Sequence, residues 1–245
     1  MHEAPTPSSL HVQDLVRQAF GWSESDDAES ALQLQAALHN HEHWNESQRF
    51  EALAGVKNRL LKASKVVVIG AAVSVEELYS YDEDTVFVAA DGAVGALSDY
   101  SKLACVVSDL DGANYLEDAA AQGQTIVVHA HGDNMERWRE MVVTWNQFES
   151  IPSLILSHQV NQIIPGMHNY GGFTDGDRAL CFILSLGVES SKIELVGFNL
   201  FKVGQWSGST NTEKKIQKLE WMGRIVSELG FGHFITNEKH THKSK

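Results

Sequence analysis

The chain has 245 residues, which is long enough for one large α/β domain or for such a domain with a smaller appendage. Its formal net charge is −13, and a surface this acidic repels nucleic acid and anionic membranes, so neither is expected as a partner. The start of the chain lacks the pattern of a signal peptide, no apolar run could span a bilayer, and both cysteines, Cys105 and Cys181, lie singly in apolar runs. These features predict a cytoplasmic protein with buried, reduced thiols.

Residues 1–63 are predicted to form an N-terminal helical segment that begins with an irregular stretch at 1–9. Helical spacing of apolar residues covers three stretches, 10–20, 30–40 and 47–63. Ser47 is the expected N-cap of the third helix. Apolar stripes of this kind suit the interface of a homodimer and equally suit packing against the rest of the chain, so both alternatives stay open.

Residues 64–236 are predicted to form an α/β catalytic domain, followed by a polar tail at 237–245. Short runs rich in β-branched residues alternate with helical segments, which predicts a doubly wound, mainly parallel sheet in a three-layer α/β/α arrangement. The predicted strands are KVVVIG (65–70), TVFVAAD (85–91), LACVVSD (103–109), TIVVHAHG (125–132), PSLILS (152–157) and KIELVGF (192–198), with HFIT (233–236) as a further edge strand.

Polar and acidic residues gather where these strands end. The second strand runs into ADGA (90–93), the third into SDLDG (108–112) and the fourth into HAHGDN (129–134), while GGFTDGDRA (171–179) precedes an apolar helix. Ligands of open parallel sheets bind beyond the carboxyl ends of the strands. The sequence therefore predicts a functional site at this edge of the sheet.

Asp109 and Asp111 form a DxDG motif with Gly112. If the backbone stays extended, the two carboxylates point to the same side, because side chains alternate along a strand. Two neighbouring carboxylates repel each other unless a hard cation neutralises them, and Mg²⁺ prefers such oxygen ligands. The alternative is an ordinary Asp-Gly turn, in which Asp111 bonds to its own local backbone.

The segment GGFTDGDRA combines a helix start with groups that suit phosphate. Thr174 and Asp177 have the spacing of a capping box ahead of the apolar helix. A helix N-terminus favours phosphate, and Gly172 would let the backbone approach a ligand closely. Asp175 then stays available for a metal or substrate, and Arg178 for a phosphate oxygen.

HAHGDN is the densest polar cluster in the chain. His129 and His131 share a face of the predicted strand and could hold a transition metal, but no third ligand accompanies them. Asp133 or Asn134 either caps the next helix or contacts phosphate or substrate. In the last predicted helix, Lys214, Lys215 and Lys218 either reach polyphosphate or form a solvated face.

Taken together and in this order, the four motifs resemble the archaeal-type 6-hydroxymethyl-7,8-dihydropterin pyrophosphokinases. That family is related to thiamin pyrophosphokinase, which carries similar ADG, DxD and TD elements, and the resemblance covers roughly residues 65–230. It implies transfer of diphosphate from ATP to the hydroxymethyl group of a reduced pterin, with release of AMP and with Mg²⁺ as cofactor. The product would be a precursor in folate or methanopterin synthesis.

The resemblance also implies residue roles. Asp109, Asp111 and Asp175 would bind Mg²⁺ and, together with Arg178 on phosphate, form the catalytic set. Contacts to substrate or nucleotide would come from Asp91, Gly92, His131, Asp133, Asn134, Gly172, Thr174 and Asp177. The sequence departs from the family pattern at GFN (197–199), where Gly-Met-Asp is frequent, and at GAAVS (70–74), where glycine-proline-serine is usual.

Three alternatives share some of these motifs. Phosphatases of the haloacid-dehalogenase type use DxDG, but normally at the end of the first strand and followed by Thr or Val, whereas here it ends the third and is followed by Ala113. Glycosyltransferases use DxD to hold the metal of a nucleotide-sugar. A nucleotide-binding sensor could have the same pocket without turnover.

Overall fold

The computed structural model of the protein describes residues 7–208 and 212–236. Its α-helices are α1 (Pro7–Phe20), α2 (Glu24–Leu38), α3 (Glu46–Lys62), α4 (Val75–Leu78), α5 (Ala113–Ala121), α6 (Met135–Trp145), α7 (Asp175–Ser185) and α8 (Thr212–Glu228). Its strands are β1 (Lys65–Ile69), β2 (Thr85–Ala90), β3 (Leu103–Ser108), β4 (Ile126–Ala130), β5 (Leu154–His158) and β6 (Ile193–Val196). The predicted polar tail at 237–245 lies outside the described residues.

The strands form one sheet in the order β5-β4-β3-β2-β1-β6, and every neighbouring pair is parallel. In the middle of the register, Val68 of β1 lies opposite Val88 of β2 and Leu195 of β6. The chain adds β1 to β5 in one direction and then returns to place β6 on the other side of β1. This reversal creates a topological switch point between β1 and β6, and it confirms the predicted doubly wound parallel sheet.

Helices cover both faces of the sheet, which confirms the three-layer prediction. Val66 and Val68 of β1 pack with Leu60 of α3 and Val226 of α8 on one face, while Val67 is buried on the other. Each position of β1 after its first residue is buried, as expected for a parallel strand covered on both sides. Full burial of one such aliphatic side chain contributes about 1.5–3 kcal/mol.

The N-terminal helices pack against the α/β layers. Val12 and Val16 of α1 contact a cluster that includes Phe173 and Ile225, and Leu34 of α2 lies in the core beside β4 and β5. None of the helices in the described part of the chain is both long and apolar enough to cross a membrane.

Three local predictions were wrong. α1 begins at Pro7, inside the stretch expected to be irregular. The N-cap of α3 is Asn45, whose side chain accepts from the Gln48 amide in a capping box, so Ser47 lies inside the helix. The segment 233–236 contains the end of a 3₁₀ helix (Gly232–Phe234) and a single bridge at Thr236, because its backbone turns after α8 before it can extend along β6.

Candidate active site

Three carboxylates meet where β2 and β3 end. Asp91 follows β2, and Asp109 and Asp111 follow β3. Each offers one oxygen atom within 4.8 Å of the other two, and this is the one group of potential metal ligands that the described residues bring so close together. Hard cations such as Mg²⁺ prefer clustered carboxylate oxygens of this kind.

A left-handed turn, rather than an extended strand, brings the pair Asp109 and Asp111 together. β3 ends at Ser108, and Leu110 has a φ of 71°, a conformation that side chains other than glycine rarely adopt. The Ser108 hydroxyl accepts from the Leu110 amide at 2.8 Å and stabilises the turn. The premise of an extended backbone was therefore wrong, because the turn begins immediately after the strand.

Gly112 completes the acidic turn by allowing a close backbone approach. A Cβ atom at this position would lie 2.6 Å from Asp91 Oδ1 and 2.7 Å from the amide nitrogen of Gly92. Such distances are too short for a side chain, so the glycine of DxDG lets the two strand-end loops touch.

Asp109 is held in its charged form. Burial alone would raise the pKa of Asp109, but its contact with His131 and the positive charges of Arg178 and Lys218 outweigh burial and hold that pKa well below its usual range. Its Oδ1 atom is buried and has no hydrogen-bond partner among the described residues. A buried, unsatisfied carboxylate oxygen is costly unless a cation or a donor binds it. This oxygen therefore fits a metal ligand.

Asp91 and Asp175 have the opposite shift. Burial and then the charges of Asp175, Asp111 and Asp109 raise the pKa of Asp91 well above its usual value. Burial and the charge of Asp109 raise the pKa of Asp175 to about 8, against the smaller opposing effect of Arg178. Several carboxylates in so small a volume cannot all ionise unless positive charge joins them, and a divalent cation would supply that charge.

Asp175 stands beside the acidic trio rather than within it. It is the first residue of α7, and its Oδ1 lies 3.3 Å from Nη1 of Arg178, one turn along the same helix. The predicted capping box is present: the Asp177 carboxylate accepts from the Thr174 amide at 3.0 Å and from its hydroxyl at 2.7 Å. Because Asp177 is fully buried and bonded in this way, it shapes the helix start.

A cleft open to solvent extends from Asp91 across the carboxyl ends of β2, β1 and β6. Its walls contain Gly70, Ala71, Asp91, Gly92, Thr174, Asp175, Gly197, Asn199, Lys202, Trp206, Lys215 and Lys218, among others. The cleft thus lies at the topological switch point, where ligands of this sheet class bind. Three lysines line it next to the carboxylates, so it can hold an anion and a cation side by side.

Glycines bring the loops after β1 and β6 into direct contact at the cleft. Gly197 has a φ of 72°, and a Cβ there would lie 2.3 Å from the Val73 amide nitrogen. A Cβ on Gly204 would lie 1.9 Å from the carbonyl oxygen of Ala71. Gly172 serves another contact, since its φ is 83° and a Cβ would lie 2.8 Å from the Arg178 backbone at the start of α7.

His131 faces the trio from the end of β4. Its Nδ1 accepts from the Asp133 amide at 3.2 Å, so the proton of the neutral ring lies on Nε2, which is 3.5 Å from Asp109 Oδ2. Asp133 itself is exposed and lines a separate hollow together with Trp22 and Asp26. His131 therefore connects that hollow to the acidic cluster.

Asn134 links two strand ends rather than facing the cleft. It is fully buried, its amide accepts from the His131 nitrogen at 3.0 Å, and it donates to the carbonyls of His129 at 2.6 Å and Asp109 at 2.9 Å. The side chain thus ties the β4 end to the acidic turn. His129 is buried between Ser157 and Gln159, and both of its ring nitrogens have hydrogen-bond partners there, so neither needs a metal.

Sequence reasoning missed several residues of the site. The stretch 70–72 was noted only as a departure from the family pattern, and Lys202 and Trp206 were not singled out, yet all of them line the cleft. Gly70 follows β1 directly, so the rule that identified the acidic residues would have found it as well, whereas Lys202 and Trp206 lie several residues beyond the end of β6. Of the lysines in α8, Lys215 and Lys218 line the cleft.

Comparison with known proteins adds three curated archaeal relatives, all named 6-hydroxymethyl-7,8-dihydropterin pyrophosphokinase. The protein of Methanothermobacter thermautotrophicus is 34% identical over 229 residues, covering 86% of this chain and 88% of the relative. That of Pyrococcus furiosus is 31% identical over 222 residues, covering 86% and 87%. That of Methanocaldococcus jannaschii is 27% identical over 231 residues, covering 87% and 91%. No protein-family model matches the chain.

These matches extend over most of each chain, so they include the sheet, the acidic turn and the loops of the cleft. The protein is accordingly an enzyme of the diphosphotransferase class. Within that class, the chain belongs to the family of 6-hydroxymethyl-7,8-dihydropterin pyrophosphokinases, as the order of its motifs indicated.

Proposed function

We propose that the enzyme transfers diphosphate from ATP to 6-hydroxymethyl-7,8-dihydropterin in a Mg²⁺-dependent reaction and releases AMP. The hydroxymethyl oxygen attacks the β-phosphorus, the bond from that phosphorus to the oxygen of AMP breaks, and the hydroxyl proton is lost. The names of the relatives support the pterin and the diphosphate transfer. The product would serve the synthesis of a reduced-pterin cofactor such as folate or methanopterin.

The observation that carries this proposal is the acidic trio beside a lysine-lined cleft at the switch point. A triphosphate would be repelled by a chain of net charge −13 unless local positive charge received it. Lys202, Lys215 and Lys218 provide that charge on the cleft wall, and the glycine-rich loops allow backbone amides to approach phosphate oxygens.

Asp91, Asp109 and Asp111 would hold Mg²⁺, and Asp175, whose charge raises the pKa of Asp91, would join them through water or phosphate. The unsatisfied Oδ1 of Asp109 and the raised pKa values of Asp91 and Asp175 both fit a cation in this position. Bound Mg²⁺ would neutralise charge that develops on the phosphate oxygens. The resemblance implies Asp175 rather than Asp91 as the third ligand, but Asp91 is the carboxylate that lies within 4.8 Å of the other two, so we infer direct contact from Asp91.

The other side chains would act by position and charge. Arg178, held at the start of α7, would bind a phosphate oxygen, and the lysines would orient the rest of the chain of phosphates. His131 would keep Asp109 oriented through Nε2. Phosphoryl transfer depends mainly on positioning and electrostatic stabilisation, and these charged side chains would provide both.

A cytoplasmic location and a homodimer stay predictions of the sequence, as do the boundaries 1–63 and 64–236. The rival activities fit less well, because DxDG follows β3 rather than the first strand and the relatives are pyrophosphokinases. A sensor without turnover differs from the proposal only in its chemistry, so an activity assay separates the two.

The decisive experiment incubates the protein with ATP, Mg²⁺ and 6-hydroxymethyl-7,8-dihydropterin and resolves the nucleotides by chromatography. AMP should form only when the pterin is present. The variant Asp109→Asn should reduce the rate by about 100-fold or more, because it removes a negative charge that would bind the Mg²⁺ needed to stabilise the transition state. The matched control is Asp118→Asn, which makes the same change at an exposed position of α5.

ATP binding without AMP formation in the wild-type protein would contradict the proposal and favour the sensor. AMP formation without pterin would instead indicate a hydrolase.

A further inference from the structure

Gln159 joins Arg178, which the proposed function places on phosphate, to the N-terminal helices. It follows β5 directly and is buried, with 4% of its surface exposed. Its Oε1 accepts from Arg178 Nη2 at 2.9 Å, and its Nε2 donates to Asp27 Oδ2 of α2 at 2.7 Å. A single amide therefore connects a residue of the proposed phosphate site to a residue that lies 132 positions away along the chain.

Asp27 and the backbone of Gln159 are themselves held by further contacts. Asp27 is buried, and its Oδ1 accepts from the Gly132 amide at 2.9 Å, next to His131. Arg17 of α1 donates to the Gln159 carbonyl at 2.8 Å and lies 3.8 Å from Asp27 Oδ2. Two helices of the N-terminal segment thus hold the backbone and the side chain of Gln159.

The chemistry of the partners determines which way the amide points. A carboxylate only accepts hydrogen bonds, and a guanidinium only donates them. With Asp27 on one side and Arg178 on the other, Nε2 must face Asp27 and Oε1 must face Arg178. The reverse orientation would place donor against donor and acceptor against acceptor.

We propose that Gln159 is a positioning residue that orients the Arg178 guanidinium toward the transferred phosphates, and that Asp27 sets the orientation of Gln159. The inference rests on the proposed function, in which Arg178 binds phosphate, and gives the N-terminal helices a role in the active site. Arg178 also contacts Asp175 at 3.3 Å, so it is held between two oxygen acceptors at the edge of the acidic cluster. A planar guanidinium needs such fixed acceptors to present its remaining donors in one direction.

The test exchanges the two polar partners. Asp27→Asn alone leaves one acceptor for two donors, so its NH2 group must face either the Gln159 Nε2 or the Gly132 amide. Gln159→Glu alone places two carboxylates in contact. The double variant Asp27→Asn/Gln159→Glu restores one donor and one acceptor, keeps the charge of the pair and leaves a carboxylate oxygen for Arg178. Each single variant should lower kcat/KM for ATP on the order of 10- to 100-fold, as expected for a misplaced catalytic group. The double variant should recover to within about threefold of wild type, a gap of less than 1 kcal/mol.

Arg139→Ala is the matched control. Arg139 of α6 also reaches the N-terminal segment, where its Nη2 donates to Gln33 Oε1 of α2 at 2.7 Å, but it is surface-exposed and touches none of the site residues. This variant should keep the kcat/KM of wild type. Thermal unfolding of all five proteins shows whether a change in stability accompanies the kinetic change.

Single variants that stay within about twofold of wild type in kcat/KM would overturn the inference. So would a double variant that recovers its melting temperature but not its kcat/KM, since Gln159 would then serve the fold alone. If the wild-type protein makes no AMP with pterin, the proposed function fails. The same variants are then compared by their calorimetric affinity for Mg²⁺·ATP instead of by kcat/KM. The inference then requires the same loss and recovery in that affinity, and a constant affinity across the variants would refute it.

Discussion

The hydroxyl of Ser108 donates to Asp91 Oδ1 and accepts from the Leu110 amide at 2.8 Å. One buried side chain at the end of β3 thereby contacts both the carboxylate that follows β2 and the left-handed turn that brings Asp109 and Asp111 together. The strand order places the two loops side by side, and this hydroxyl links them directly.

Ser108→Ala should weaken both stability and metal affinity. The change leaves the buried Asp91 carboxyl and the Leu110 amide without their partner, which costs about 1–3 kcal/mol per group left unsatisfied. Activity should need more Mg²⁺ for half-saturation, because the trio loses its preorganised geometry. Urea unfolding and a Mg²⁺ titration of activity measure the two effects. Ser185→Ala removes a hydroxyl that bonds a carbonyl within α7 and should leave the Mg²⁺ requirement unchanged.

Lys218→Met should weaken ATP binding. The Lys218 ammonium lines the cleft and lies 5.4 Å from the Trp22 ring centroid and 5.8 Å from that of Phe173, so the aromatic rings help to hold it at the cleft wall, where the proposed function puts the phosphates. Loss of one charge-assisted phosphate contact should raise KM for ATP about tenfold, equivalent to about 1.4 kcal/mol. Lys62→Met, in the last turn of α3, is the control. An unchanged KM would place the triphosphate elsewhere.

The parallel sheet was predictable because its signals are local and repeated. Runs such as KVVVIG and LACVVSD are short, β-branched and regularly separated by helical segments. The position of the site followed from one further rule, that ligands bind at the carboxyl ends of parallel strands. Both inferences need only periodicity and strand order, which a single sequence contains.

The contacts that assemble the site were not predictable in the same way. Ser108 reaches Asp91 across 17 positions, and Gln159 reaches Asp27 across 132. Serine within a strand and glutamine after a strand are both common, and the local sequence around them does not identify the residue that each contacts. The positive φ of Leu110 also contradicts its own propensity, as expected where tertiary contacts impose strain at a functional turn.

The N-cap of α3, which was predicted as Ser47 and is Asn45 in the structure, can be tested by mutation. Asn45→Ala should cost about 1 kcal/mol of stability, because the Asn45 side chain accepts from the Gln48 amide at 3.3 Å and caps the helix. Ser47→Ala should change the free energy of unfolding by less than about 0.5 kcal/mol, since Ser47 is exposed inside the first turn. Denaturant unfolding compares the two. A larger loss for Ser47→Ala would restore the original N-cap prediction.

Stability below neutral pH should depend on His158, the buried last residue of β5. Burial, followed by the neighbouring charge of His168, lowers the pKa of His158 from 6.5 to about 4. Between these values the unfolded chain binds the proton and the folded chain does not, so the free energy of unfolding falls as pH decreases through this window. The loss from this residue alone approaches about 3 kcal/mol, since each pKa unit corresponds to about 1.4 kcal/mol.

His158→Gln removes that titration and should flatten the slope of unfolding free energy against pH between 4 and 6.5 relative to wild type. Comparing slopes rather than absolute stabilities cancels the cost of losing the contact between His158 Nδ1 and the Val160 amide, which is 3.3 Å long. Urea unfolding at intervals across this range gives the slopes, and NMR titration of the His158 ring gives its pKa directly. Parallel slopes, or a ring that titrates near 6.5, would show that the pocket around His158 accepts the charged imidazolium.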